Sequence, residues 1–188
     1  MSMNFFLTSL FITISVLLHA QDVSVEKSTY GIQTGLLGFW GYKETRVSNL
    51  LALRSEIGFD TEIFGGSFYD RTGIVFVPVL IAEPRYYYNI KNRISRSKKI
   101  EKSSANFLSI NFRFHPDWFV ISNYNNVNII SDFAIIPQWG LRRHFGKHIS
   151  FETGLGIGYR LLFLKQEGFS NNDGELAVDL RLRFGYTF

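Results

Sequence analysis

His148, Ser150 and Glu152 stand at alternate positions of one short stretch. A serine beside a histidine, with a carboxylate to orient the imidazole, is the set that activates a nucleophile for acyl transfer. The spacing decides how they could meet. On an extended strand, alternate residues share a face about 7 Å apart. Contact between Ser150 and His148 would need the two side chains to lean together. A hydrogen-bonded interior histidine is therefore the expectation and catalysis the alternative. His144 and His148 could form half of a metal site, but the chain has no Cys and shows no third ligand nearby. Gly154, Gly156 and Gly158 in "GLGIGYR" are spaced like a phosphate loop. No helix follows them, and a phosphate cradle needs one. Asp117, Trp118 and Phe119 follow Pro116; anchoring a loop to the rim of the fold is expected, and binding of a partner or lipid is the alternative. These residues predict no catalytic, cofactor-binding or metal site.

The segments that carry them have a period of two, the signature of strands. Ile149, Phe151, Thr153, Leu155, Ile157, Tyr159, Leu161 and Phe163 oppose Ser150, Glu152, Gly154, Gly156, Gly158 and Arg160. Leu176, Val178, Leu180, Leu182, Phe184, Tyr186 and Phe188 oppose Ala177, Asp179, Arg181, Arg183, Gly185 and Thr187. Phe133, Ile135, Pro137, Trp139 and Leu141 oppose Ala134, Ile136, Gln138, Gly140 and Arg142. Leu108, Ile110, Phe112 and Phe114 oppose Ser109, Asn111, Arg113 and His115, and Leu51, Leu53, Ile57 and Phe59 oppose Ala52, Arg54, Glu56, Gly58 and Asp60. Near the start, Tyr30, Ile32, Leu36 and Trp40 oppose Gly31, Gln33 and Gly35. Around Pro84, Glu83, Arg85, Tyr87 and Asn89 oppose Tyr86, Tyr88 and Ile90. The pattern predicts eight strands, with residues 60–72 supplying a short third strand and two turns. Seven strands plus an irregular segment is the alternative.

Composition narrows the class. A chain of 188 residues suits one domain. Residues 91–102 ("KNRISRSKKIEK") hold six cations and one carboxylate, a net +5 against +4 for the whole chain. The positive charge is local, so nucleic acid is not an expected partner. A solvated connecting loop is expected there, with contact to anionic headgroups as the alternative. Residues 5–18 ("FFLTSLFITISVLL") are apolar and uncharged, too short for a comfortable span, and fit the core of a signal peptide. Export is expected, with residues 1–20 removed and 21–188 forming the domain. The apolar run 74–82 is short and carries Pro78, so no membrane helix is expected.

Alternation alone fits a soluble barrel with apolar residues inside, or a membrane barrel with apolar residues facing lipid. Three features favour the membrane. The polar face is rich in glycine, which makes room in a narrow interior. Tyr86, Tyr88, Trp139, Tyr159, Tyr186 and Phe188 fall near strand ends, where girdles form. Most strands reach the length of about 9–11 residues that a tilted span requires. On the polar face Arg54, Arg85, Arg113, Arg142, Arg160, Arg181 and Arg183 nearly balance Glu56, Asp60, Glu83, Asp132, Glu152 and Asp179. Buried charges persist when paired, and eight strands leave room inside only for side chains. The expectation is an all-β, antiparallel, up-and-down transmembrane barrel with a polar, plugged interior and no open pore.

The last strand, "LRLRFGYTF", ends on Phe188 and resembles that of small outer-membrane β-barrel proteins of Gram-negative bacteria. The stretches "LLHAQ", "EPRYYYN", "HPDWFVISNY", "WGLRRHFGKH" and "ETGLGIGYR" are similar to a group of Bacteroidetes barrels without an assigned activity. The resemblance implies residence in the outer membrane, contact with its lipid and lipopolysaccharide, and assembly by the barrel-assembly machinery through the C-terminal strand. A monomer without cofactors is expected, with a structural role or one exercised through the loops. Outer-membrane lipid A deacylases pair His-x-Ser with a Glu in a barrel of this size, so a lipid-modifying enzyme is the first alternative. A small channel and a soluble periplasmic barrel for a hydrophobic ligand are the others. Tight retention of the terminus is also expected, with the last strand pairing near residues 30–39.

Overall fold

The computed structural model describes residues 24–65, 72–125, 127 and 129–188, without the side chains of 166 and 167. The signal-peptide expectation for 1–20 lies outside the described residues. Eight strands form the wall: β1 (Ser28–Gly35), β2 (Gly38–Arg46), β3 (Leu51–Phe64), β4 (Gly73–Tyr86), β5 (Asn106–His115), β7 (Asp132–Phe145), β8 (Ile149–Leu162) and β9 (Asp173–Thr187). A two-residue strand, β6 (Ile121–Ser122), extends the edge of β4 where β5 stops. Each wall strand pairs antiparallel with its chain neighbours, and β9 pairs with β1, so the sheet closes on itself. Closure removes the sheet edges wherever the pairing is complete.

Two boundaries differ from the sequence reading. Among the described residues of 60–72 no separate third strand is present. Residues through Phe64 continue β3, and 66–71 fall outside the described residues. The eighth strand comes instead from the segment around 30–40, which is a hairpin with its turn at 36–37. That turn reverses the alternation. Trp40 points inward and is 5% exposed, although the sequence pattern placed it with Tyr30 and Ile32. Two consecutive leucines at the turn hid the break, although glycine, a usual turn residue, flanks them as Gly35 and Gly38, the latter at positive φ.

The faces otherwise fall as the alternation predicts. Leu176, Leu180, Ile57 and Tyr159 point out and are strongly exposed, while Arg54, Arg85, Glu83 and Glu152 are fully buried inside. Part of the interior is apolar, however. Val75, Val77, Val79 and Ile81 line it from β4, and Val79 and Ile81 pack with Trp40. Glycines on the inner face allow close approach. A Cβ on Gly156 would sit 2.8 Å from the Ile136 side chain, and one on Gly140 would strike the Phe107 ring.

The start of β1, the C-terminus, the turns at 47–50 and 146–148, and the 87–105 connection lie at one end of the barrel. The 87–105 connection is more than a solvated loop. It carries α1 (Ile90–Ser95), and its Tyr87, Ile90 and Ala105 pack with Val25, Ala52 and Phe107 into an apolar plug. Ile90, just before the basic run, and Ile100, within it, were the available signal. Burial pushes the Tyr87 phenol above its ordinary value, and its hydroxyl donates to Glu44 at 2.9 Å. The terminus is firmly held here. Phe188 N–H donates to the Tyr30 carbonyl at 3.0 Å, its ring stacks on Tyr30, and Lys102 Nζ donates to the Thr187 carbonyl at 3.0 Å.

Candidate functional site

The interior holds two connected polar clusters. The central one is built on Glu152 of β8. It accepts from Arg85 at 2.7 and 3.0 Å, from Arg142 at 3.0 Å and from Arg181 at 2.9 Å. Glu83 also receives Arg85 and Arg181, together with the Ser109 hydroxyl at 2.6 Å. Glu56 pairs with Arg54 and Arg183, and Glu44 with Arg142. Glu44 is the carboxylate missed by the sequence reading, because the unrecognised hairpin hid which face of β2 points inward. With Glu44 added, seven inward arginines face seven inward carboxylates. Rings complete the packing: Arg54 lies 3.7 Å from the Tyr42 ring centre and Arg183 the same distance from that of Trp40.

The second cluster sits at the end opposite the chain termini. His115 lies between two carboxylates, with Nδ1 3.0 Å from Asp132 and Nε2 3.1 Å from Asp60. Arg160 donates to Asp132 at 2.6 Å, Arg113 reaches Asp60 and Asp179, Gln138 donates to Asp179, and Trp40 Nε1 donates to Asp60 at 2.8 Å. Of these, Trp40, Asp60, Arg113, His115, Arg160 and Asp179 border a cavity of about 170 Å³. The arrangement can hold charged or strongly polar groups. Among the described lining residues Thr61 has the one hydroxyl, and it makes no contact with His115 that would set up nucleophilic attack.

The residues singled out for chemistry are separated. His148 is exposed; its Nδ1 lies 2.9 Å from the Thr187 carbonyl and its ring stacks on Tyr186. It therefore faces the surface, not the interior expected for it. Ser150 is fully buried beside Gly185, and Glu152 is spent on arginines. His144 meets Ser104 at 3.2 Å and Thr187 at 3.1 Å. Among the described residues no group of three or more His, Cys, Asp or Glu side chains is placed to hold a metal. Gly154, Gly156 and Gly158 lie within β8, away from any helix N-terminus. Phe119 packs edge-on against Phe59 on the outer face, which anchors the Asp117–Phe119 stretch to the wall, while Trp118 stays exposed. Comparison with protein-family models, curated proteins and solved structures finds no match for this chain.

Ser150 Oγ has no hydrogen-bond partner among the described residues. Ser150→Ala is therefore expected to leave unfolding stability unchanged or raise it by up to about 1 kcal/mol. Equilibrium denaturation checks this; a loss above about 2 kcal/mol would show the hydroxyl engaged.

Proposed function

We propose that this barrel is an integral protein of a bacterial outer membrane, monomeric and non-conducting, with a structural or loop-mediated role and no catalysis. One observation carries the reading: the burial pattern is inverted. Leu176 and Leu180 are 72% and 71% exposed on the outside, whereas Arg54, Arg85, Glu83 and Glu152 are 0% exposed inside. Water would penalise that outer face, and a bilayer stabilises it. Tyr30, Tyr86, Tyr88, Tyr186 and Phe188 form an outward belt at the terminal end, with Trp139 tied to Tyr88 by a 2.9 Å hydrogen bond. Phe39, Phe59, Phe76 and Phe119 form an aromatic cluster nearer the other end. Aromatic belts of this kind mark the two interfaces of a membrane. The likeness of the C-terminal strand to outer-membrane barrels supports the compartment.

The role follows from the filling. A network that ties β3, β4, β7, β8 and β9 through buried ion pairs fills the centre with paired side chains, which supports a barrel without a continuous water path. The expected result is a detergent-dependent membrane protein whose folded form migrates faster on a gel until heated, and which adds no conductance to a planar bilayer. Release from cells without detergent would overturn the membrane reading. Stepwise channel currents would overturn the plugged one.

A further inference from the structure

The β1–β2 hairpin is shorter than the wall around it. β1 has 8 residues and β2 has 9, against 14 in β3 and 15 in β9. β9 pairs with β1 only from Thr187 to Arg183, and β3 pairs with β2 only as far as Asp60. Beyond those points, residues 173–182 of β9 and 61–64 of β3 have no strand between them among the described residues. β5 is also short, but there β6 covers the exposed stretch of β4. The wall therefore has a lateral notch, with Leu36 and Leu37 as its sill.

The cavity of the second polar cluster opens through this notch. It is lined by Asp179, Arg181 and Arg183, which point inward, and also by Leu180 and Leu182, which point outward. Leu180 and Leu182 belong to the stretch of β9 that β1 does not pair with, so the cavity meets the strand's free edge there. Depth agrees with this. A span needs about 9–11 residues, so a hairpin with an eight-residue strand ends near the headgroup layer. Unpaired strand edges at that depth are tolerated where they line a polar cavity.

Charge and size then select the occupant. The lining has four arginines and His115 against Asp60, Glu62 and Asp179. Arg113 and Arg160, with side chains 16% and 28% exposed, are the lining arginines that reach the cavity, and Nε of each has no hydrogen-bond partner, whereas Arg181 is inaccessible and lies 3.5 Å from Asp179. Such donors bind anionic oxygens best. The cavity, about 170 Å³, is smaller than the roughly 300–1,000 Å³ that encloses a whole organic ligand. It fits a headgroup and leaves the tails outside, against Leu36, Leu37, Leu180 and Leu182.

We propose that the notch is a lateral binding site for one membrane amphiphile with an anionic headgroup, which enters sideways from the leaflet at this end of the barrel. Arg113 and Arg160 hold the head, and the exterior leucines hold the tails. The site rests on the membrane reading above. Its test uses the full chain folded into vesicles, extracted in mild detergent and weighed by native mass spectrometry. Phosphatidylglycerol and phosphatidylcholine are supplied in equal amounts. The expected result is one retained phosphatidylglycerol, preferred about tenfold. The preference should fall towards unity in Arg113→Gln and in Arg160→Gln, each first checked for heat-shifted migration. If Arg113→Gln fails to fold, Arg160→Gln, at the rim, carries the test. Retention without headgroup preference in an inserted barrel overturns this inference alone, as does displacement of the lipid by millimolar glycerol phosphate. A chain that does not enter vesicles overturns the membrane reading and the site with it.

Discussion

Glu152→Ala is expected to destabilise the barrel by about 3–5 kcal/mol, the cost of breaking a buried ion pair by removing one partner. The size follows from what Glu152 does. It receives four hydrogen bonds from three arginines on three different strands, β4, β7 and β9, and a fourth arginine, Arg54 of β3, lies 3.9 Å away. All of these groups are essentially inaccessible to water. Without Glu152, Arg85 and Arg181 still share Glu83, and Arg142 still has Glu44. The loss is therefore a shortage of negative charge distributed over the network, and not one isolated cation. Glu152→Gln keeps the shape and one acceptor oxygen but turns an amide N–H₂ towards guanidinium donors, so an intermediate loss is expected. Glu62→Gln serves as the control. Glu62 is half exposed and only 3.7 Å from Arg160, where an ion pair contributes little. Denaturant titrations of the folded proteins in vesicles compare the three. Equal midpoints for Glu152→Ala and the parent would show that Glu152 is not the centre of the network.

Much of this network could be read from sequence because strand alternation is a strict geometric rule. Arg85 and Glu83, or Arg181 and Arg183, had to share a face once their strands were recognised. Glu44 escaped because its strand was not recognised. A tight turn made of two leucines looks like the middle of an apolar run, and a missed turn reverses every face beyond it. The same oversight concealed the lateral notch, which exists only because β1 and β2 are short relative to β3 and β9. Distance across the barrel was not legible either. His148, Ser150 and Glu152 are neighbours in sequence, yet Glu152 meets Arg85, 67 positions away, while His148 meets the last residues of the chain. Conversely, Asp60, His115 and Asp132 carry no common motif. Their meeting depends on how β3, β5 and β7 are placed around a closed sheet, and pairing order fixes that more than local pattern does.

Leu155→Arg separates the bilayer from water more sharply than any change inside the barrel. Leu155 sits midway along β8, points outward, and is flanked by Trp139 on β7 and Leu180 on β9. Near the middle of a bilayer an outward arginine costs about 2–4 kcal/mol, because the guanidinium must reach the interface or draw water in. On the surface of a water-soluble barrel the same change is worth within about 0.5 kcal/mol. Ile149, also outward and half exposed, lies at the terminal end of the same strand. An arginine there reaches the headgroups directly, and a cost of about 0–1 kcal/mol is expected for Ile149→Arg. The gradient between the two substitutions is the decisive quantity, since only a slab of hydrocarbon makes the cost depend on position along the strand. Folding free energies in phospholipid vesicles measure both. Equal, small effects at Leu155 and Ile149 would place the outer face in water and remove the membrane from this account, whereas a loss concentrated at Leu155 fixes the hydrocarbon slab at the middle of β8.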